Sequence, residues 1–381
     1  MTFSPLTRGR TAAAAVMGVG LLSALLAGCT SSGGSTSTAS GPYSAAKGCT
    51  KIGFLLPESA SSARWEADDH PDMVKAIQQY LPGASLDVTN ANGSDTTQLA
   101  QAEADLTKGD CILIVAPHDS QAAATIVEKA LAQHVPVIAY DRLIQDKNTA
   151  FYVSFDNVKV GALQGQYIAD NYQSYVSQNG NNNLVMINGS QTDNNALLFS
   201  KGAHSVLDPL ISSGKLNKVY ETFTPNWDNP TAQSEMEGAL TKNNNKVAVA
   251  YVANDGMAGT VIAALKAQGL AGKVLVTGQD ATVAGIQNIL LGYQSMTVYK
   301  AITKEADAAA QLAAALSKGQ DTSSLTNGAT TATSDGGALP SVLETPVAVD
   351  KSNIATTVLA DGFVTKAEIC QGVPAGTDGI C

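Results

Sequence analysis

The sequence has 381 residues, of which 33 are acidic and 23 basic, so its formal net charge is −10. The acidic balance and the lack of any run of Lys or Arg argue against a nucleic-acid-binding protein, because binding phosphates requires clustered cations. Hydrophobic residues make up 44% of the chain, which excludes a disordered protein, and the length exceeds the ~100–200 residues of a single domain, so we expect two domains.

The first 28 residues have the features of an export signal. Arg8 and Arg10 form a short basic region, and an uncharged segment of mostly small and apolar residues follows from 11 to 26. This segment is too short for a convincing membrane span. Leu26-Ala27-Gly28-Cys29 resembles the lipobox of bacterial lipoproteins, which implies cleavage before Cys29 and attachment of lipid to it. The alternative is an ordinary signal peptide followed by a coincidental cysteine.

Residues 29–48 are predicted to form a flexible tether, because Ser, Thr and Gly dominate most of this segment. The folded part of the protein is therefore expected outside the cytoplasmic membrane. It would be held at the outer face of that membrane only through the lipid on Cys29.

Short apolar segments alternate with helical patterns from about residue 50 to about residue 300. Continuous runs of Val, Ile and Leu, rather than strict alternation, are typical of strands that are covered on both faces. The predicted strands are 51–56, 85–89, 112–116, 135–140, 151–155, 184–187, 218–223, 247–253, 274–278 and 295–299. The predicted helices include 96–108, 120–132, 158–178, 260–268 and 303–316.

Alternating strands and helices predict parallel sheets with right-handed crossovers. Ten strands are too many for one compact sheet, so we expect an α/β fold with two doubly wound parallel-sheet domains. An eight-stranded barrel is the structural alternative, but the strand count fits it poorly. A Gly/Ser/Thr/Asp-rich loop at 322–337 and a strand-like segment at 345–349 could return the chain to the first domain and then to the second. The predicted lobes are residues 49–156 plus 300–343 and residues 157–299 plus 344–381.

Four cysteines remain once Cys29 is set aside: Cys49, Cys111, Cys370 and Cys381. Three pairings could satisfy this even set. Cys49 and Cys111 each precede a predicted strand and could bond if those strands are neighbours, and Cys370 with Cys381 would then close a C-terminal loop. We expect structural disulfides. Neither spacing resembles a zinc site and the four histidines are scattered, so no metal or cofactor is expected.

Polar residues gather where the predicted strands end. Ligands of open α/β sheets bind outside the carboxyl ends of the strands, so these segments should meet in one crevice. Asp, Asn, Gln and Arg supply directed donors and acceptors, and the chain's only tryptophans, Trp65 and Trp227, offer aromatic faces to the C–H groups of a pyranose. The pattern indicates a site for a small polyhydroxy ligand. The segments are 57–65, 141–142, 188–195, 254–256 and 279–280.

Several of these residues have simpler explanations. Asp, Asn or Ser after a strand often caps the next helix, and Asn254 could both cap a helix and bind a ligand. Arg64 and Arg142 could be surface charges. Asp141 and Asp280 could be the acid/base pair of a glycosidase, which would require one raised pKa and room for a water molecule.

Seven segments resemble the xylose-binding and multiple-monosaccharide-binding proteins of bacterial ABC importers, in order and in spacing over roughly residues 50–365. They are 62–65, 139–142, 154–157, 193–196, 254–255, 278–280 and 298–300. The resemblance implies three crossover strands between the domains and hinge closure on the ligand. It implies sugar contacts from Arg64, Trp65, Asp141 and Arg142 of one domain and from Asn194, Asn195, Trp227, Asn254 and Asp280 of the other, with Lys300 near the hinge.

The first loop departs from the xylose-specific pattern. Segment 57–63 carries Glu58 followed by small residues, whereas xylose-specific members tend to have consecutive aspartates there. The loop is therefore more similar to the broader-specificity group. The C-terminal segment with Cys370 and Cys381 also lies outside the shared pattern.

The resemblance implies a monomeric binding protein, not an enzyme, that delivers a monosaccharide to an ABC permease. D-xylose is the first candidate, followed by glucose, galactose and arabinose. The alternatives are a secreted glycoside-processing enzyme and a sugar-sensing subunit for a membrane receptor. A sugar-responsive repressor is disfavoured, because the chain begins with an export signal and has no helix-turn-helix.

Overall fold

The computed structural model describes residues 42–381. The predicted export signal, Cys29 and the tether as far as residue 41 lie outside the described residues. Among residues 42–381, no helix has the combination of length and hydrophobicity that crossing a membrane requires.

The last residues of the predicted tether lie against the folded body. A short 3₁₀ turn, Ser44–Ala46, is followed by a backbone hydrogen bond from Gly48 to the carbonyl of Ser317 at 2.8 Å. The hydroxyl of Tyr43 donates to the carbonyl of Asn148 at 2.9 Å. Residues 43–48 therefore belong to the ordered fold, in contrast to the expectation of a tether that extends to residue 48.

The described residues form strands β1 to β13 and helices α1 to α11. The strands are β1 (Lys51–Leu56), β2 (Ser85–Asn90), β3 (Ile112–Val115), β4 (Val137–Tyr140), β5 (Phe151–Phe155), β6 (Asn183–Asn188), β7 (Asn217–Phe223), β8 (Val249–Val252), β9 (Leu275–Val276), β10 (Thr297–Tyr299), β11 (Thr330–Ala332), β12 (Ala338–Glu344) and β13 (Val347–Val349). The helices are α1 (His70–Tyr80), α2 (Asp95–Lys108), α3 (Ala124–Leu131), α4 (Asn157–Asn179), α5 (Asn194–Ser212), α6 (Asn229–Lys242), α7 (Asp255–Ala267), α8 (Val283–Leu290), α9 (Ile302–Lys318), α10 (Ser323–Thr326) and α11 (Lys366–Ile369).

Two open sheets carry most of these strands. The first has the order β11-β12-β5-β4-β3-β1-β2, and all of its pairs are parallel except β11 with β12. The second is parallel with the order β7-β6-β8-β9, and β10 pairs antiparallel with β13 in a two-stranded ribbon. The α/β prediction with parallel sheets is confirmed, and the barrel alternative is wrong because neither sheet closes on itself.

Buried apolar runs explain the central strands. All four residues of β3 and all four of β4 are buried, as expected for strands that have helices on both faces. On one side of the first sheet, α1 and α9 contribute side chains to one hydrophobic cluster. On the other side, α2 and α3 contribute to a second cluster.

Helices α4 and α5 pack with their backbones unusually close. A Cβ atom at Gly161 of α4 would lie 1.8 Å from the carbonyl oxygen of Phe199, and one at Gly202 of α5 would lie 2.0 Å from that of Val158. Glycine is therefore required at both positions for this crossing.

Both pairs of cysteines form disulfides. Cys49 bonds to Cys111 beside the paired strands β1 and β3, and Cys370 bonds to Cys381. Of the three pairings that the sequence allowed, this is the one in which neighbouring strands bring the first two cysteines together. The C-terminal segment packs a small hydrophobic cluster against α8.

Candidate functional site

A cavity lies among segments that follow strands of both sheets. Its volume is about 30 Å³, well below the ~300–1,000 Å³ typical of small-molecule sites. Its position agrees with the rule that ligands of open α/β sheets bind at the carboxyl ends of the strands. The lining residues are Ser61, Ser62, Arg64, Trp65, Asp141, Arg142, Asp193, Asn195, Phe199, Trp227, Asn254, Gln279, Asp280 and Lys300.

Nine of the ten residues expected to bind a ligand are among these lining residues, and Asn194 is the exception. Its side-chain oxygen accepts a hydrogen bond from Gln145 at 3.0 Å, and its backbone N–H donates to Ser120 at 3.1 Å. Asn195, the next residue of α5, lines the cavity instead. The structure therefore gives Asn194 a contact between the two halves of the chain rather than a place in the cavity wall.

Arg64 is fixed from behind by buried acidic residues. Asp69 accepts hydrogen bonds from its Nε at 2.8 Å and its Nη2 at 2.6 Å, and Glu305 accepts from Nη2 at 3.2 Å. Asp69 also accepts from the hydroxyl of Tyr140 at 2.8 Å. Because these partners hold two of the guanidinium nitrogens, Nη1 is directed toward Asp141, 2.9 Å away.

Asp141 is the central anion of the cavity. Its Oδ2 lies 2.9 Å from Arg64 and 3.0 Å from Lys300, and its Oδ1 accepts from Asn195 at 3.2 Å. Burial by itself would raise the pKa of Asp141, but the charges of Arg64, Lys300 and Arg142 outweigh it and hold this pKa well below the ordinary range. The carboxyl group is therefore ionised at neutral pH.

The low pKa of Asp141 disagrees with a role as the proton donor of a glycosidase. An acid/base pair needs one carboxyl group that keeps its proton near neutral pH. Two cations lie within hydrogen-bonding distance of Asp141, and the more distant Asp280 lies 3.8 Å from Lys300. Asp141 therefore suits the role of a permanent acceptor of hydrogen bonds rather than that of a proton donor.

Three non-glycine residues of the lining have backbone torsions in the left-handed region. The φ angles are +56° at Asp141, +55° at Trp227 and +99° at Asp280. Such conformations are costly for residues that have a Cβ atom, and they concentrate at functional sites. The backbone therefore aims these three side chains in directions that ordinary helix or strand geometry would not give.

A carboxylate anchors each of the two indoles. The Nε1–H of Trp65 donates to Glu58 at 2.8 Å, and that of Trp227 donates to Asp193 at 3.1 Å. Two guanidinium carbons lie over the ring of Trp65, at 4.7 Å for Arg64 and 5.1 Å for Arg142. Both rings are thus held in fixed orientations at the cavity wall.

Direct bonds join the two halves of the cavity. Ser62 donates to Asp280 at 3.1 Å, and Arg142 Nε lies 2.9 Å from Asp193 Oδ2. In each pair, one residue follows a strand of the first sheet and the other follows a strand of the second. The cavity is therefore formed by two complementary surfaces, each carried by its own sheet.

Sequence reasoning missed several buried groups near the cavity. Asp69 and Glu305 lie in helical segments rather than at strand ends, so the rule that found the other residues did not apply to them. Glu305 lies in the alanine-rich α9 and is fully buried. Burial, with the nearby charge of Asp141, raises the pKa of Glu305 well above its usual value. An ionisable residue on the apolar face of a predicted helix was the signal that could have found it. Of the other lining residues, Phe199 was missed, whereas Ser61, Ser62, Asp193 and Gln279 lie in segments expected at the crevice but were not named as ligand-binding residues.

Comparisons with known proteins agree with this architecture. Residues 52–321 match the periplasmic binding protein domain family. The D-xylose-binding periplasmic protein of Haemophilus influenzae is 42% identical over 322 residues, which cover 84% of this chain and 92% of that protein. The multiple sugar-binding periplasmic protein SbpA of Azospirillum brasilense is 35% identical and covers 83% of this chain and 90% of its own length.

A solved structure gives the same result at the level of the fold. An ABC transporter solute-binding protein from Clostridium phytofermentans with bound β-D-glucose matches with a TM-score of 0.73 and 28% identity. The match covers 84% of this chain and 99% of the other. The two sequence relatives are periplasmic sugar-binding proteins, and the solved structure is a solute-binding protein, so the relatives are binding proteins rather than enzymes. The parallel sheets, the cavity between them and these matches lead to one conclusion: the chain belongs to the periplasmic binding protein family, with the type I fold.

Proposed function

We propose that this protein captures a monosaccharide outside the cytoplasmic membrane and delivers it to an ABC importer, with D-xylose as the first candidate. Glucose, galactose and arabinose are the next candidates. The proposal rests on the cavity and on the xylose-binding and multiple-sugar-binding relatives.

The charge balance of the cavity carries this proposal. The lining contains three cationic side chains (Arg64, Arg142 and Lys300) and three anionic ones (Asp141, Asp193 and Asp280), so the formal charges cancel. A neutral ligand suits such a site, and a polyhydroxy ligand can both donate to the carboxylates and accept from the cations. Trp65 and Trp227 would cover the C–H faces of the ring.

Hinge closure follows from how the two halves of the cavity are connected. We propose that the lobes are residues 49–156 with 300–343 and residues 157–299 with 344–381. The bonds from Ser62 to Asp280 and from Asn195 to Asp141 join these lobes. A sugar bound between the lobes would bridge the same groups and favour the closed arrangement.

The selectivity is proposed to be broader than xylose alone. Glu58, which the sequence placed in the first loop, binds the indole of Trp65 and the backbone N–H of Ser61 at 2.7 Å. Its carboxylate therefore positions Trp65 and the loop, and the nearby side chains of Ser61 and Ser62 are small. Small side chains at this wall would admit the hydroxymethyl group that distinguishes a hexose from xylose when the lobes open to take up a ligand.

A thermal-shift panel followed by calorimetry tests the proposal. Ligands that bind only the folded state raise its melting temperature in proportion to RT ln(1 + [L]/Kd). We expect D-xylose to give the largest shift and one or more hexoses to give smaller shifts. No shift with any pentose or hexose would refute the proposal. Release of sugar from a xyloside by the purified protein would establish the enzyme alternative.

Anchoring and transport require separate tests. We propose that Cys29 carries lipid and that the protein is monomeric. Mass spectrometry of the mature amino terminus tests whether Cys29 carries lipid. A Cys29→Ala variant should lack the lipid and be released from cells. Light scattering of the purified protein tests whether it is monomeric. Sugar uptake in a deletion strain separates transport from sensing, because a sensor subunit would leave uptake intact.

A further inference from the structure

Three carboxylates meet on the first sheet at a place that does not line the candidate site. Asp87 lies on β2, Asp105 lies in α2, and Asp110 lies in the turn that joins α2 to β3. One carboxylate oxygen of each residue lies within 4.8 Å of an oxygen from each of the other two. The cluster draws its members from three separate segments of the chain.

A glycine makes room for this cluster. Gly53 in β1 is the register partner of Asp87 in β2. A Cβ atom at position 53 would lie 2.8 Å from Asp105 Oδ2, so any larger residue would push the carboxylate away. Glycine weakens a strand interior, and here it lets a buried carboxylate sit directly over the backbone of the sheet.

Two buried oxygens of the cluster have no hydrogen-bond donor. Asp105 is 0% exposed and Asp110 is 6% exposed. Within residues 42–381, neither Asp105 Oδ2 nor Asp110 Oδ2 has a hydrogen-bond partner. Leaving a buried polar group without a hydrogen-bond partner is unfavourable, and more so when the group is charged. These oxygens are therefore free to accept a donor or a cation that residues 42–381 do not supply.

The nearby lysines compensate the charge of this cluster only in part. Lys108 contacts Asp87 Oδ2 and lies 3.3 Å from Asp105 Oδ1, but it leaves both unpaired oxygens without a partner. Its side chain is 53% exposed. Lys51 donates to the backbone carbonyl of Lys108. An exposed ammonium on a flexible stem is readily displaced by a cation that binds the same carboxylates more strongly.

We propose that Asp87, Asp105 and Asp110 bind a calcium ion, which takes the place of the Lys108 ammonium. Ca²⁺ accepts six to eight oxygen ligands at ~2.3–2.6 Å, with carboxylates in either one- or two-oxygen contact. Three oxygens at the upper limit of 4.8 Å from one another lie about 2.8 Å from their common centre, so a small rotation of the 42% exposed Asp87 side chain brings all three into the ~2.3–2.6 Å range of calcium. Water completes the coordination on the exposed side, where Lys108 now lies.

Calcium fits this site better than magnesium. Mg²⁺ requires near-ideal octahedral geometry at ~2.0–2.1 Å and gives up its water reluctantly, so three carboxylates fixed by the sheet and helix suit it poorly. Extracellular calcium modules bind in the range of ~10⁻⁴–10⁻³ M, which is the affinity expected here.

Calorimetric titration of the chelator-treated full-length protein with CaCl₂ tests this proposal. We expect Asp110→Asn to weaken calcium binding by at least about ten-fold, because it removes a charged ligand. Lys108→Met should strengthen binding by about ten-fold, because it removes the competing ammonium and keeps all three carboxylates. Glu103→Gln, in the same helix but paired with Lys129 at the surface, is the control and should bind like the unaltered protein.

Two outcomes would overturn the site. The first is an absence of calcium binding in both the unaltered protein and Lys108→Met up to about 10 mM, well above the expected range. The second is unchanged binding in Asp110→Asn. If Asp110→Asn does not fold, Lys108→Met decides the question alone, because a calcium affinity no higher than that of the unaltered protein contradicts the proposed displacement.

Discussion

At the scale of single residues, the candidate site is a network in which every charge has a partner. Asp141 shows this most clearly, since it contacts Arg64, Lys300 and Asn195 while it is 3% exposed. Removing one member of such a buried network leaves the others without compensation. The effect on binding should therefore be larger than the loss of one ordinary hydrogen bond.

We expect Asp141→Asn to weaken xylose binding by at least about ten-fold. The substitution keeps the size of the side chain but removes the charge that Arg64 and Lys300 face, and hydrogen bonds to charged groups contribute about 1.5–3 kcal/mol. Calorimetry gives the change in Kd. Glu128→Gln, an exposed carboxylate in α3, is the control and should bind normally. If Asp141→Asn and Glu128→Gln bind xylose with equal affinity, Asp141 does not contribute to binding.

Adjacent residues show what the sequence could and could not tell us about the site. Asn194 and Asn195 were equally plausible as ligands. Asp193 caps α5 by accepting from the backbone N–H of Asn195 at 2.8 Å. Successive residues of a helix point about 100° apart, so only one of the two asparagines could face the cavity. Which asparagine faces the cavity depends on how α5 is oriented, and the residues near 194 do not reveal that orientation.

At the scale of elements, the crossing of α4 and α5 is the tightest contact between helices described here. The two helices approach at Gly161 and Gly202, where neither backbone leaves space for a methyl group. Overpacking of this kind forces backbone movement, because a carbonyl oxygen cannot rotate away as a side chain can.

We expect Gly161→Ala to lower the free energy of unfolding by about 3 kcal/mol or more, since the new methyl group would overlap the backbone of Phe199. Gly238→Ala is the matched control, because it also lies in a helix but has no neighbour within 4 Å of the added Cβ. It should raise stability by up to about 1 kcal/mol through helix propensity. Urea denaturation measures both. Similar effects of the two substitutions would contradict the proposed clash.

A histidine joins α5 to β7. His204 lies 2.7 Å from Asp208 through Nδ1 and 2.7 Å from Glu221 through Nε2. Burial alone would lower the pKa of His204, but the two carboxylates outweigh it and raise this pKa above its ordinary value of 6.5. The folded state therefore holds this proton more tightly than the unfolded state does.

Stability should consequently depend on pH through His204. The contribution is fully present below the unfolded pKa of 6.5 and is lost as the pH rises through the higher folded-state pKa. Between about pH 6 and about pH 9, we expect the free energy of unfolding of the unaltered protein to fall by about 1 kcal/mol or less relative to that of His204→Gln. Urea unfolding at several pH values measures the difference between the two proteins. Parallel pH profiles would show that the histidine makes no such contribution.

The hydrophobic patterns predicted the central strands well and the late ones poorly. Strands β1 and β5 have the predicted bounds, because continuous apolar runs identify buried strands. Strand β12 was missed, since it contains Pro340 and a mixture of exposed and buried residues. It lies between β5 and β11 at the far side of the first sheet, so its place depends on long-range pairing that no local pattern records.

At the scale of the whole molecule, two covalent links limit the unfolded chain. Cys49 and Cys111 are 62 residues apart in sequence, and Cys370 and Cys381 are 11 apart. In the chain-entropy model, a longer closed loop removes more entropy from the unfolded state. The first link should therefore stabilise the protein more than the second.

We expect the double variant Cys49→Ala with Cys111→Ala to lower the free energy of unfolding by about 4 kcal/mol, and Cys370→Ala with Cys381→Ala to lower it by about 3 kcal/mol. The second pair is the matched control for the first, because it removes a disulfide from a shorter loop. Denaturation without reducing agent compares the two proteins. The reverse order of stability would show that packing, and not loop length, sets these contributions.

The alternation of strands and helices was enough to predict two parallel sheets, since this inference uses only period and length. The same pattern did not locate β12, although the expected lobes assigned residues 300–343 to the first and 344–381 to the second. β12 joins the first sheet, whereas β13, two residues further on, pairs with β10. Two consecutive strands separated by two residues therefore pair in different sheets. Which sheet each strand joins depends on the strand edge that it meets in three dimensions.

The link between Cys49 and Cys111 also determines how the protein would bear a mechanical load. A pull on the chain ahead of residue 43 first meets the contacts of residues 43–48. Once these contacts break, the force reaches the start of β1, which lies between β2 and β3. The covalent bond passes part of that tension into β3 before any strand has to slide. Force applied at this end is therefore shared between two adjoining strands inside the sheet, and it has to shear their hydrogen bonds together rather than peel one strand from an edge.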